Sequence, residues 1–204
     1  EEKVKGKGGK LRWVSRRIVQ DGFEDFGKET AKPPLRKPLS FTATYTGGIK
    51  AKITHVFTKD GMEISTLVVD KGESKGELRA GVKILVGDLF RQIDDADLEK
   101  RETESKLEDT RISVRGVGAR RTERVKFEDY DVVLTEEFPN GVRAFALESD
   151  RYGDHEFQMT TANPEYGIIE FVQRKKIIHG FYTNWYPDPE KAGQQDARLL
   201  LKVK

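Results

Sequence analysis

The chain is 204 residues long, which suits one domain with a full hydrophobic core and is short for two. Charged residues make up 35% of it, and 37 Lys and Arg nearly balance 35 Asp and Glu, which argues against a protein that binds nucleic acid over its whole surface. The lack of cysteine excludes disulfides and thiolate chemistry, and no apolar run approaches the ~18 residues of a membrane-spanning segment.

Residues 1–37 are predicted to form an extended basic arm, followed by a single β-rich domain over residues 38–204. The first 20 residues hold seven Lys or Arg and two Glu, a local net charge of +5. The first ten residues are too polar and Gly-rich to hold a fixed shape alone. The arm has separate aromatic anchors and no continuous apolar face, which favours packing against a domain or another subunit. Its predicted contact residues are Arg12, Trp13, Arg16, Arg17, Phe23 and Phe26.

The first half of the domain is predicted to be an antiparallel meander. Phe41, Ala43 and Tyr45 alternate with polar residues, the period-2 pattern of a half-buried strand. Glycines 47 and 48 supply a tight turn before a second strand over residues 49–57, and residues 59–61 make the next turn before a third strand over 62–70.

The second half of the domain is predicted to contain one surface helix over residues 90–109 and then further strands. The Asn140-Gly141 turn is predicted to pair residues 125–134 with 142–147 as a hairpin. The sequence therefore predicts a mainly β fold, a β-rich member of the α+β class. We expect an antiparallel sandwich or partly closed barrel with one surface helix and the extended N-terminal arm.

Two short motifs invite a catalytic interpretation. Residues 72–76 match the G-x-S-x-G pattern around Ser74, but a nucleophile elbow requires a parallel α/β sheet, and the neighbouring sequence predicts antiparallel hairpins. Asp154, His155 and Glu156 form the densest set of metal-binding side chains, yet their spacing fits no established site and also suits a polar hairpin connection. We therefore predict neither a catalytic residue nor a bound metal or cofactor.

The segment 181–187 holds four aromatic residues in one predicted strand. Alternation places Trp185 on one side of that strand and Tyr182 and Tyr186 on the other. One side is expected to face the core. The other remains open to ordinary packing, a protein interface or a ligand platform, for which Tyr182, Trp185 and Tyr186 are the candidates.

The sequence favours a soluble, non-catalytic interaction protein or accessory subunit of a larger assembly, which docks on other protein subunits through its basic arm. The alternative is a small β-barrel or sandwich that binds a ligand, or a metal-dependent hydrolase. Nucleic-acid binding through the arm is a third, less favoured interpretation. The compartment stays open, because the absence of an initiator methionine is compatible with a processed secreted, periplasmic or organellar protein.

Overall fold

The computed structural model of the protein describes residues 1–20, 35–85, 111–126, 138, 140–148, 155–172 and 182–204. These residues form fourteen β-strands and no helix, so the described part of the chain is mainly β, as predicted. Nowhere in this part does a helix occur that is long and apolar enough to cross a membrane. The surface helix predicted over residues 90–109 lies outside the described residues. The strands are β1 (Glu2–Lys5), β2 (Leu11–Val14), β3 (Ile18–Gln20), β4 (Pro38–Tyr45), β5 (Lys50–Thr58), β6 (Gly61–Asp70), β7 (Val82–Leu85), β8 (Arg111–Gly116), β9 (Glu123–Lys126), β10 (Val142–Glu148), β11 (Glu156–Thr161), β12 (Gly167–Val172), β13 (Tyr182–Pro187) and β14 (Leu199–Val203).

Twelve of these strands form one antiparallel sheet. Its main path runs β3-β4-β5-β6-β14-β11-β10-β12-β13-β7, and β8 pairs with β10 on one edge and with β9 on the other. The last of the fourteen strands in chain order, β14, lies between β6 and β11, with Leu200 opposite Glu63 on one side and Thr160 on the other. β14 therefore joins the strands of the first half of the chain to those of the second half.

The strands β4, β5 and β6 form the predicted meander. In β4, Ala43 is buried and Phe41 and Tyr45 are half-buried, whereas residues 40 and 42, on either side of Phe41, are exposed. The turn into β5 contains Gly47 at a φ of 82° and Gly48 at 71°, left-handed conformations that glycine adopts without steric cost. The meander prediction is confirmed.

The sheet curls into a half-barrel. Tyr45 of β4 and Val68 of β6 line the same cavity as Lys83 of β7 and Asn184 of β13, although these strands lie towards opposite ends of the sheet path. In a flat sheet β6 and β13 would stand roughly 25 Å apart, because neighbouring strands are spaced by about 4.8 Å. The curl therefore brings the two ends of the sheet to one concave surface.

The main hydrophobic core packs against the strands from the second half of the chain. A register shift in β10, between residues 142 and 144, lets Val142, Phe145 and Leu147 all be buried, because a bulge resets the alternation of a strand. Met159 and Trp185 complete the centre of this core with no exposed surface. Complete burial of one such side chain stabilises the fold by about 2 kcal/mol.

The predicted hairpin between residues 125–134 and 142–147 is wrong for the residues described. Gly141 does adopt the positive φ of a turn, 84°. Along residues 144–148, however, β10 pairs with β11 at one edge and with β8 at the other, so neither edge is free. β9, which holds Val125, pairs with the far edge of β8. β8 therefore lies between the two segments that the turn was predicted to join.

Candidate functional site

The described part of the arm folds back on the domain. β1 and β2 pair as an antiparallel hairpin. The backbone N–H of Lys3 donates to the carbonyl of Glu77 at 2.9 Å, and the N–H of Arg79 donates to the carbonyl of Glu1 at 3.1 Å. β1 therefore lies between β2 and the segment 77–79 of the domain.

Arg79 is the residue on which the arm and the domain meet. Its side chain is only 9% exposed, and its guanidinium carbon lies 4.3 Å from the ring centroid of Trp13 and 3.6 Å from that of Tyr186. It donates to the Glu1 carboxylate through Nε at 2.9 Å and through Nη2 at 2.6 Å. The Glu170 carboxylate lies 3.4 Å away. Stacking on aromatic faces and pairing with carboxylates both strengthen in a desolvated site, so Arg79 fixes the arm to β12 and β13.

Burial changes the ionisation of the domain groups around Arg79. It raises the pKa of the Glu170 carboxyl, and the charge of Arg79 opposes part of that rise. Burial also raises the pKa of the Tyr186 phenol, and the nearby Glu1 carboxylate raises it further. The phenol therefore stays protonated beside the Glu1 carboxylate.

A second contact between arm and domain is centred on Glu2, which is 6% exposed. Its carboxylate accepts a hydrogen bond from the Ser74 hydroxyl at 2.6 Å and pairs with the Arg16 guanidinium. Ser74 belongs to the G-x-S-x-G sequence, which forms a turn after β6 and not a strand-to-helix elbow. The serine is thus a hydrogen-bond donor to a structural carboxylate.

The arm also has exposed side chains, some apolar and some basic. Leu11, Ile18 and Val19 are 58%, 51% and 60% exposed, unusually high values for large apolar side chains. Arg12 and Arg17 are also exposed and make no ion pair among the described residues. We call these five exposed side chains the arm surface.

The other predicted contact residues are placed differently. Trp13 stacks on Arg79, and Arg16 pairs with Glu2, so both side chains contact other residues of this protein. Phe23 and Phe26 lie outside the described residues.

The aromatic strand near residue 185 is β13. Trp185 has no exposed surface and lies in the core, where its indole N–H has no hydrogen-bond partner among the described residues. Tyr186 and Asn184 line the cavity of the half-barrel instead. Tyr182 contributes its backbone to the pairing of β13 with β12 and β7.

The segment considered for metal binding joins β10 to β11, which pair as an antiparallel hairpin. Nδ1 of His155 lies 3.2 Å from the carbonyl oxygen of Lys204, and the Glu156 carboxylate accepts a hydrogen bond from the Gln158 amide. Asp154 lies outside the described residues. Within the described ranges no three His, Asp or Glu side chains are grouped so that they could hold a metal ion.

Sequence reasoning missed Arg79 and Glu170. Arg79 follows a stretch of glycines and charged residues over 71–77 that shows no hydrophobic period, and Glu170 sits 91 residues away in β12. Of the residues in this contact, only Trp13 and Tyr186, whose rings stack on Arg79, were candidates on the sequence alone.

In comparisons with known proteins, no family model, no curated protein and no solved structure matches this chain.

Proposed function

We propose that this protein is a non-catalytic accessory subunit that docks on a partner protein through the arm surface. The observation that carries the proposal is the exposure of Leu11, Ile18 and Val19 on a segment that also presents Arg12 and Arg17 to solvent. Protein interfaces are enriched in arginine and in apolar side chains at their centres. Complete burial of one such apolar side chain contributes about 1.5–3 kcal/mol.

The charge of the arm supports a partner with an acidic surface. Lys3 pairs with Glu77, and Arg16 pairs with Glu2. The remaining cations of residues 1–20 make no ion pair among the described residues; they are Lys5, Lys7, Lys10, Arg12 and Arg17. An excess of positive charge attracts a negatively charged partner and speeds its association.

The inner contacts of the arm support the same proposal. The Arg79 and Glu2 contacts hold the hairpin on the domain before any partner arrives. A segment that is already ordered loses less conformational entropy when it binds, so the arm surface is prepared for docking.

The alternative of a metal-dependent hydrolase at residues 154–156 is less favoured, because the His155 and Glu156 side chains already have hydrogen-bond partners in the protein.

Site-specific photo-crosslinking in the source cells tests the docking proposal. A benzophenone amino acid is introduced at Val19, and in a matched variant at Val203, which is 62% exposed on β14 and remote from the arm in sequence. We expect a crosslink to one protein from position 19 and none to that protein from position 203. The crosslinked protein is then purified and its affinity for the full chain is measured by calorimetry.

Substitution of the arm surface completes the test. With the purified partner, we expect Leu11→Glu with Val19→Glu to weaken binding at least about 100-fold, because each buried apolar contact is replaced by a desolvated charge. Val203→Glu should bind like the parent chain. A crosslink from position 19 to nucleic acid, or equal binding by the arm-surface variant and the Val203→Glu variant, would overturn the proposal. Deletion of the arm is the weaker experiment, because it also removes the contacts of Arg79.

A further inference from the structure

A cavity of about 270 Å³ lies between the concave face of the half-barrel and the arm. Ile49, Ala51 and Leu78 line it and are themselves 1–7% exposed. Val68 and Val82 add apolar surface from β6 and β7. The volume is close to the lower end of the range of small-molecule sites, which begins at roughly 300 Å³.

Two polar side chains in the cavity lining form no hydrogen bond with another residue of the described ranges. Tyr45 and Asn184 line the cavity from opposite ends of the sheet path, and neither side chain is hydrogen-bonded to another described residue. Burial raises the pKa of the Tyr45 phenol, so its hydroxyl stays protonated and is available as a donor. A few unpaired polar groups in an apolar cavity are the usual means by which a site orients a ligand.

Three charged residues of the lining already form ion pairs within the protein; they are Glu1, Arg16 and Arg79. Arg16 pairs with Glu2, while Arg79 pairs with Glu1 and with Glu170. Lys83 is exposed to solvent. A ligand that carried a charge into the cavity would lose its hydration and displace one of these pairs, which is costly.

We propose that this cavity binds a neutral, mainly apolar small molecule through a carbonyl or hydroxyl group that hydrogen-bonds to Tyr45 and Asn184. The apolar body of the ligand packs against Ile49, Ala51 and Val68. Ser15 and Arg16 of the arm line the cavity as well. Ile18 of the arm surface also lines this cavity, whereas Leu11, Arg12, Arg17 and Val19 do not.

Titration of the full chain with the neutral naphthyl ketone dye prodan tests the proposal, because the emission of this dye shifts to the blue in an apolar site. We expect a saturable shift with one site per chain.

Val68→Phe fills the cavity and should weaken dye binding at least about 10-fold. Val69→Phe is the matched control: it makes the same change one residue further along β6, at a side chain that is 50% exposed and does not line the cavity. It should leave the affinity unchanged.

Tyr45→Phe gives a second reading that does not depend on filling the cavity. It removes a hydroxyl that has no hydrogen-bond partner among the residues the structure describes, so the fold should be retained. Dye affinity should fall about 3–10-fold. Circular dichroism of each variant separates lost binding from lost folding. The proposal is overturned if the parent chain gives no saturable shift, or if Tyr45→Phe and a folded Val68→Phe both bind like the parent. Tighter binding of the anionic dye anilinonaphthalene sulfonate, lost in Arg16→Gln, would overturn the assignment of a neutral ligand.

Discussion

The guanidinium carbon of Arg79 lies 3.6 Å from the ring centroid of Tyr186, so a nearly buried cation is stacked on an aromatic face. Arg79→Lys keeps the charge but loses the planar group that also stacks on Trp13 and pairs with Glu1. We expect this substitution to lower the free energy of unfolding by about 2 kcal/mol, as measured by urea denaturation.

Arg198→Lys is the matched control for that measurement. Arg198 pairs with Glu63, is 29% exposed and stacks on no ring among the described residues. Its replacement should cost less than about 1 kcal/mol, as is usual for a partly exposed pair. Equal losses for the two variants would show that stacking adds nothing at Arg79.

The hairpin of the arm should open more readily when Trp13 is truncated. Trp13→Ala removes one of the two rings that stack on Arg79 and keeps all five side chains of the arm surface. We expect trypsin to cleave near Lys10 and Arg12 about 10-fold faster, because proteolysis follows the population of the opened segment. Leu11→Ala, on the same strand but 58% exposed, should be cleaved at the rate of the parent chain. Unchanged cleavage of Trp13→Ala would mean that the ring does not hold the arm.

His55 should make the stability depend on pH in mildly acidic solution. Its ring stacks on Phe41 with centroids 5.7 Å apart, its Nδ1 has no partner among the described residues, and burial lowers its pKa below the ordinary value of 6.5. Above about pH 6.5 His55 is neutral in both the folded and the unfolded chain, and its contribution to stability is fully present. As the pH falls below 6.5, the unfolded chain binds the proton first, so the free energy of unfolding decreases until the pH reaches the lower pKa of the folded chain.

The measurement is urea unfolding at several values between about pH 8 and pH 5. His55→Phe should remove this part of the pH dependence. Phe41→Leu should lower stability at every pH and retain the step. A step that persists in His55→Phe would assign it to another group.

Two glycines with positive φ should respond differently to alanine. Gly72 has a φ of 50° and Gly118 a φ of 80°, so both substitutions strain the backbone by about 1 kcal/mol. A Cβ at Gly72 would also overlap the carbonyl of Gly47, whereas a Cβ at Gly118 would meet nothing within 4 Å. We therefore expect a clearly larger drop in melting temperature for Gly72→Ala. Similar drops in melting temperature for the two variants would show that the turn at residues 46–49 moves to accommodate the extra methyl group at little cost.

Local patterns in the sequence predicted local structure well. Alternation at Phe41, Ala43 and Tyr45 and the adjacent glycine turn were sufficient for the meander, because each strand pairs with the next one in the chain. The Asn140-Gly141 turn was recognised, but a turn fixes only the reversal of the chain and not the strand that lies beside it. In this protein β8 occupies that edge of β10.

Long-range relationships could not be predicted in this way. Arg79 acquires its role only because β12 and β13 bring Glu170 and Tyr186 to it, and neither residue is close to it in sequence. The cavity likewise depends on the curl of the sheet, which brings Tyr45 and Asn184 into the lining of one cavity. The spacing of residues within a strand contains no information on either arrangement.

The position of β14 has a consequence for synthesis of the protein. Until β14 has been synthesised and has left the ribosome, β6 and β11 each lack the strand that covers one edge in the folded protein. Open strand edges readily pair with other polypeptides. Synthesis of the protein therefore includes a stage at which β6 and β11 each have an edge without its native partner, and pairing of those edges with other polypeptides competes with folding.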